Sequence, residues 1–432
     1  MRTLFPRGAT KRWNVLIGAV ADDITGATDL CLMLSRAGLH TVQVMGVPQR
    51  ALPTADAVVI ALKSRTIPAT EAVDMSVAAA HSLLAAGAGQ LLFKYCSTFD
   101  STDQGNIGPV TEALLALTGA PLTIACPSFP ANGRTVYKGH LFVGDQLLSD
   151  SPMRDHPLTP MRDANLVRVL QRQTALPVGL LEASIIGQGA DAIRSAFARA
   201  QTAGQRILVT DTLSDSDLLA IGQACDKMPL VTGGSGIALG LAANLVRGGG
   251  PKSKRMAAPA GRRAILAGSC SQATREQIAA ARAAGMPAFA LDVDGLASGD
   301  QTAQHVVDWV LAQTGTALVY SSADPETLAR IQASLGREAA GSLVEHTLAR
   351  VAQMLCARGF TQFIVAGGET SGAVVEALDV TMLDIGPEIA PGVPWTRSSS
   401  GPDLALALKS GNFGAPDFFL KAWDLLDEAV LQ

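Results

Sequence analysis

The sequence predicts an α/β protein of two Rossmann-like domains with mainly parallel sheets and an active site in the interdomain cleft. Three observations carry the fold. Short apolar runs alternate with segments of helical periodicity almost throughout, the signature of βαβ units around a parallel sheet. At 432 residues the chain is long enough for more than one core. The composition changes abruptly at RGGGPKSKRMAAPAGRR (Arg247–Arg263), where four glycines, two prolines and a basic cluster lack any periodicity and mark a linker. The expected organisation is an extension over 1–13, a first domain over 14–246, the linker 247–263 and a second domain over 264–432.

Taken in order, the first-domain strands are expected at Val15–Val20, Thr41–Met45, Ala57–Leu62, Gln90–Lys94, Leu122–Ala125, Val178–Ile186, Arg206–Thr210 and Pro229–Thr232. Helical spacing separates most of them, at Ala69–Ala86, Ile107–Leu117, Asp191–Ala203 and Asp215–Cys225. Residues 132–150 break the pattern: an Asn-Gly turn precedes a hairpin-like excursion, VYKGHLFVGD. Beyond the linker, strand Ala264–Ala267 leads into a helix over Thr274–Ala284 with a Thr274…Gln277 capping box. Strand Ala317–Tyr320 precedes a helix with Asp324 as N-cap and Pro325 at N1. Helix Ser342–Arg358, strand Gln362–Val365, helix Ala373–Leu378 and strand Leu404–Leu408 complete the domain.

Composition narrows the function. Hydrophobic residues make up 48% and charged ones 17%, as in ordinary globular chains, and the 4% aromatic content predicts cores of small aliphatics. A net charge of −4 argues against nucleic acid or an anionic membrane as partner. No run reaches the roughly 20 apolar residues of a membrane span. The opening MRTLFPRGATKRWN lacks a signal-peptide apolar core. Six scattered cysteines show no ligand spacing and fit a reducing compartment, so a cytoplasmic protein is expected. Ala-rich helices offer faces compatible with a homodimer, although monomer cores use the same faces.

The most informative stretch is IGAVADDITG (Ile17–Gly26). An apolar strand runs into the adjacent acids Asp22 and Asp23, and Thr25-Gly26 then opens a helix. In open α/β sheets ligands sit outside the carboxyl ends of the strands. Paired acids there can hold a hydroxyl, accept its proton or bind Mg²⁺, whereas a helix cap needs only one of them. Lys63, Ser64 and Arg65 follow the third strand, and Lys94 and Asp100 the fourth; the cations could neutralise a substrate carboxylate. His140 and His156 show no nucleophile signature, and the remaining histidines no metal spacing.

In the second domain three polar, glycine-bearing loops follow strands: GSCS with Ser269 and Ser271, AGGETSG with Gly367, Gly368, Glu369 and Thr370, and KSGNFG with Gly411, Asn412 and Gly414. Glycine turns at helix N-termini admit phosphates, and Lys409 adds a charge. There is no Walker motif and no protein-kinase glycine loop. VTGGSGIALG contains a G-x-G-x-x-x-G spacing. It closes a domain rather than opening one, and no ribose-binding acid follows, so a structural turn or a substrate-facing loop is favoured over a dinucleotide site.

Together ADDITGATD, KSR, FKYCSTFDST with GNIGPVTEALL, NGRTVYKGHLFVGDQLLSDSPMRDHPLTPMRDANL, VTGGSG, LAGSCS, FIVAGGETSGAVV, IGPEIAPGVPW and LALKSGNFG resemble the four-carbon acid sugar kinase family over Val15 to about Leu425. The resemblance implies ATP-dependent phosphorylation of the C4 hydroxyl of a 3-oxo-tetronate, with threonate or erythronate as alternative acceptors. It implies nucleotide contacts at Ser271, Gly367–Thr370 and Gly411–Gly414. It implies acid-sugar contacts at Asp22, Asp23, Lys63, Arg65, Lys94 and Asp100, with Asp23 the expected base and ATP with Mg²⁺ the expected cofactor. An NAD-dependent acid-sugar dehydrogenase and a non-catalytic sugar-acid sensor are the rival readings.

Overall fold

The structure is a computed structural model that describes residues 15–156, 158–246, 256–321 and 336–428. The chain divides into two compact units, Met1–Lys252 and Ser253–Gln432. The first carries strands β1 (Val15–Ala21), β2 (Thr41–Met45), β3 (Ala57–Ala61), β4 (Ala88–Lys94) and β5 (Thr123–Cys126). A three-stranded antiparallel excursion follows, β6 (Arg134–Tyr137), β7 (His140–Val143) and β8 (Gln146–Leu147). Strands β9 (Val178–Leu181), β10 (Ile207–Thr210) and β11 (Leu230–Gly233) return to the main sheet. That sheet runs β2-β3-β1-β4-β11-β5-β10-β9, and each neighbouring pair is parallel.

Strands β1, β3, β4 and β11 are near-continuous apolar runs because both faces are covered; Ile17, Ala19, Val58, Val59 and Val231 are fully buried. Helices α1 (Ile24–Arg36), α2 (Ala69–Ala85) and α3 (Ile107–Thr118) are among those that cover them. The predicted strands are present with ends displaced by one or two residues, with one exception. Val178–Ile186 is β9 followed by a short helix, Ala183–Ile186. Asp211 accepts the Ala183 N–H at 3.0 Å and helps to turn the chain there.

The second unit holds β12 (Arg262–Ala267), β13 (Ala288–Ala290), β14 (Ala317–Tyr320), β15 (Phe360–Ala366), β16 (Met382–Ala390), β17 (Val393–Ser398) and β18 (Ala405–Lys409). Its order is β13-β14-β12-β15-β18-β17-β16. The first five strands are parallel, and β17 and β16 join antiparallel. Its core centres on Trp395, which is fully buried with its ring 5.3 Å from that of Trp423.

Several expectations shift here. Met256 is buried in this core, and Arg262 and Arg263 begin β12 with their guanidinium groups over Phe360 and Trp423, so the last part of the expected linker belongs to the second unit. The helix predicted from Ala373 starts at Gly368, and that predicted from Ser342 spans Arg337–Cys356. The expected Asp324–Pro325 helix start lies outside the described residues, as does the linker over 247–255. No helix among the described residues is long and apolar enough to cross a membrane, and no described group of three His, Cys, Asp or Glu side chains could hold a metal ion.

Candidate functional site

In the first unit the chain leaves β1 for β2 and β3 on one side and later for β4 on the other, so the carboxyl end of β1 is a topological switch point. The predicted acids stand there. Asp22 directly follows β1 and is tied to both neighbouring strands: its N–H donates to the Lys94 carbonyl at 3.0 Å, and its carbonyl accepts the Ser64 N–H at 3.0 Å. Arg65, the next residue along the turn after β3, grips Asp22 in bidentate fashion, Nε to Oδ2 at 2.9 Å and Nη2 to Oδ1 at 2.8 Å. The same Nη2 donates to Asp23 Oδ1 at 2.5 Å, and Nη1 lies 3.6 Å from Asp100 Oδ2. One guanidinium therefore gathers three carboxylates. In this structure it engages the protein's own acids, not the open carboxylate site that the sequence suggested.

Asp23 has two tasks. Its Oδ2 caps α1, accepting from Gly26 N–H at 3.1 Å and Thr25 Oγ1 at 2.8 Å, while Oδ1 faces Arg65. The capping and charge-site readings, set against each other from sequence, hold together. Burial opposes the Asp23 charge, but Arg65, Lys94 and the Thr25 and Gly26 hydrogen bonds outweigh it and hold the carboxyl at about 2. Asp22 moves the opposite way: burial raises it despite Arg65. Of the two, Asp23 is the more accessible, with 22% of its side chain exposed against 7%.

Lys94 ends β4 in register with Ala21 and Gly233. It is 3% exposed, and its ammonium makes no hydrogen bond or ion pair with a described residue. It acts on Asp22 and Asp23 through space. Asp100 reaches the cluster from a strained loop. Phe99 and Asp100 both adopt left-handed backbone, φ 66° and 44°, at a cost of about 1–3 kcal/mol each. The edge-to-face rings of Phe93, Tyr95 and Phe99 and the Thr98 Oγ1 bond to Asp100 Oδ1 hold it there. Lys63 is exposed beside the cluster. Sequence reading missed Asn106, whose amide donates to the carbonyls of Ser64, Arg65 and Ile67 and so fixes the turn that carries Arg65. Its partners lie about forty residues away in sequence, and no local signal marks them.

The GGSG loop after β11 is explained by packing. Added Cβ atoms at Gly233, Gly234 and Gly236 would lie 2.3–2.5 Å from the carbonyl oxygens of Cys126, Pro127 and Ser128. The glycines are needed for this close approach, which accounts for the spacing without a dinucleotide.

In the second unit the three loops converge. Gly411 packs so closely that a Cβ would meet Ser269 Oγ at 2.3 Å and Ser271 Oγ at 3.0 Å, and one on Gly367 would meet Thr370 Oγ1 at 2.9 Å and Ser269 N at 3.2 Å. Ser271, not Thr274, caps the helix Gln272–Ala283. Thr274 is fully buried and engaged elsewhere, which displaces the expected capping box. Gly367, Gly368, Glu369 and Thr370 form the N-cap and first turn of the helix Gly368–Ala377; Gly368 and Glu369 are exposed, as is Asn412. Lys409, read from sequence as a loop lysine, is the last residue of β18 and is fully buried. Its ammonium donates to Thr274 Oγ1 and to the carbonyls of Ser410 and Gly411, and burial lowers it to about 7.

Comparison with known proteins agrees with this division. A sugar-binding N-terminal domain family matches residues 17–241, and a nucleotide-binding C-terminal domain family matches 264–419. A 3-oxo-tetronate kinase of Pseudomonas fluorescens is 54% identical over 94% of this chain and 96% of its own. One from Burkholderia multivorans is 54% identical over 96% and 98%. A crystal structure from Salmonella typhimurium LT2 superposes with a TM-score of 0.85 at 43% identity, covering 95% of this chain and 98% of that one. The chain belongs to the 3-oxo-tetronate kinase family, phosphotransferases that join a sugar-binding to a nucleotide-binding α/β domain.

Proposed function

We propose that this enzyme transfers the γ-phosphoryl group of ATP to the C4 hydroxyl of a 3-oxo-tetronate, giving the 4-phosphate and ADP. The observation that carries the reading is the Asp22–Asp23–Arg65 cluster at the switch point of a sugar-binding domain, in a chain about half identical to 3-oxo-tetronate kinases over nearly its whole length. Lys94, a buried cation with no hydrogen-bond partner among the described residues, supplies the counter-charge that a substrate carboxylate requires.

Phosphoryl transfer asks mainly for alignment and charge compensation. The C4 oxygen bonds to the γ-phosphorus, the bond from that phosphorus to the β–γ bridging oxygen breaks, and ADP leaves. The C4 hydroxyl turns strongly acidic as its oxygen bonds to phosphorus, so Asp23, ionised throughout the working pH range, can take the proton despite its low affinity. Asp22 and Asp100 hold Arg65 in place, and Arg65 orients Asp23. The nucleotide falls to Ser269, Ser271, Gly367–Thr370 and the Gly411–Gly414 loop. Mg²⁺ commonly binds through one or two carboxylates and substrate phosphates. Glu369, exposed in the first turn of its helix, fits that role, and the ion would neutralise phosphate charge.

The test is ADP release from ATP–Mg²⁺ with both 3-oxo-tetronates, D- and L-threonate, D- and L-erythronate and a blank without acid. Turnover confined to an oxo acid supports the reading. Turnover confined to a threonate or erythronate keeps the kinase and changes its acceptor. No turnover with any acid, together with stabilisation by NAD, favours a dehydrogenase.

A further inference from the structure

The carbonyls of the loop 410–415 are held by side chains outside it. The Gly411 carbonyl accepts from Ser271 Oγ at 2.7 Å, Thr274 Oγ1 at 2.9 Å and Lys409 Nζ at 2.9 Å. The Gln277 amide nitrogen lies 3.0, 2.9 and 3.1 Å from the carbonyls of Phe413, Gly414 and Ala415. The Ser410 carbonyl takes a further bond from Lys409 at 2.9 Å. Five of the loop's six carbonyls, all but that of Asn412, are thus engaged by one helix and one strand end. Its donors are mostly unengaged: the Phe413 N–H turns back to the Ser410 carbonyl at 3.2 Å, whereas the backbone N–H groups of Gly411, Asn412 and Gly414 make no hydrogen bond with any described residue.

A second observation shows that this arrangement is maintained against a cost. The Gln277 side chain is fully buried, yet its Oε1 has no partner among the described residues. A buried unpaired amide oxygen is unfavourable, and the amide is turned so that its nitrogen meets the loop. Lys409 is likewise sunk in the domain and bonded only to neutral oxygens.

We infer that Thr274, Gln277 and Lys409 are positioning residues of the nucleotide site: by binding the carbonyls of 410–415 they leave the N–H groups of Gly411, Asn412 and Gly414 free to donate to the phosphate oxygens of ATP. Backbone N–H groups presented together form an anion-binding concavity. The inference rests on the nucleotide role proposed for the second domain. None of the three side chains touches the nucleotide; each acts through the loop.

The experiment uses the full chain with Thr274→Val, Thr274→Ser and Gln277→Leu. Valine and leucine keep the volume and remove the donors, and serine keeps the hydroxyl. ATP and acid-sugar kinetics are paired with calorimetric titration of ADP–Mg²⁺, and thermal unfolding checks that each variant folds. The expected result is a rise of about tenfold in KM for ATP and Kd for ADP in T274V and Q277L, the loss of roughly one well-made hydrogen bond. KM for the acid sugar should hold, kcat should stay within about threefold, and T274S should resemble the parent. Folded T274V and Q277L variants with nucleotide constants within about twofold of the parent, or with both substrates weakened alike, would overturn the inference alone. A parent enzyme that binds neither ATP nor ADP would instead overturn the nucleotide reading beneath it.

Discussion

Arg65→Met tests the electrostatic account of the sugar-side cluster. The substitution keeps much of the side-chain volume and leaves Asp22, Asp23 and Asp100 without the guanidinium that contacts them at 2.8, 2.5 and 3.6 Å. Removing one partner of a buried ion pair costs about 3–5 kcal/mol; with 22% of the Arg65 side chain exposed, the lower end, about 3 kcal/mol, is expected. For a domain of this size that lowers Tm by roughly 6–12 °C. The sign with pH follows from Asp23. Its folded carboxyl sits at about 2, below the ordinary 3.8, so the parent gains stability that is present above the ordinary value and lost as pH falls through 2. Without Arg65 that gain goes, and burial raises both acids. The Tm deficit should therefore be large at pH 7.5 and shrink at pH 5, where the orphaned carboxyls can protonate. Arg168→Met is the control. Arg168 pairs with Asp163 through two bonds of 3.0 and 2.7 Å but is 58% exposed, so solvent screening leaves a much smaller deficit than that of Arg65→Met. Thermal unfolding of the three proteins at the two pH values decides it. An Arg65→Met deficit no larger than that of Arg168→Met, or one that grows on acidification, would refute the argument.

Asp23→Asn should lower kcat by about 10²–10⁴-fold with little change in KM for ATP, and the parent's acid limb above pH 4 should not belong to Asp23, which is ionised there; steady-state kinetics across pH check both. Gly26→Ala places a Cβ 2.2 Å from Asp23 Oδ1 and 2.7 Å from Lys94 Nζ. It should displace both groups, cost about 1–3 kcal/mol and reduce kcat comparably to Asp23→Asn, as read by unfolding and ADP release. Gly222→Ala forces a Cβ to within 2.2 Å of the Gly240 backbone, in the packing of two helices that carry no candidate site residue; it should lower Tm while the folded fraction retains its kcat.

The first domain was legible because its strands are buried on both faces and read as near-continuous apolar runs, such as Ala57–Ala61. The same rule hid β16 and β17. Their segment IGPEIAPGVPW carries three prolines, which speak against a strand, and the pairing accommodates them through irregular register between Ile385 and Ala390. The helix over Gly368–Ala377 was cut short because GETSG reads as loop, whereas tertiary packing carries the helix through it. The strand ends read for Asp22, Asp23, Arg65 and Lys94 are where the structure has these residues. What Arg65 binds was not legible, because its partners stand 42 and 43 residues away. Gln277 and Lys409 were hidden more deeply. Gln277 reaches a loop 136–138 residues distant, and a lysine after a strand gives no sign of whether it turns outward to a phosphate or inward to carbonyls.

The central claim is that phosphate arrives on the C4 oxygen of a four-carbon oxo acid. Phosphorus NMR of the product formed from ATP–Mg²⁺ and a 3-oxo-tetronate tests it most directly. The account predicts a new phosphomonoester resonance split into a triplet by the two C4 protons, growing with ADP and greatly diminished with Asp23→Asn. A phosphomonoester coupled to a single proton, or ADP formed without any new ester, would contradict it.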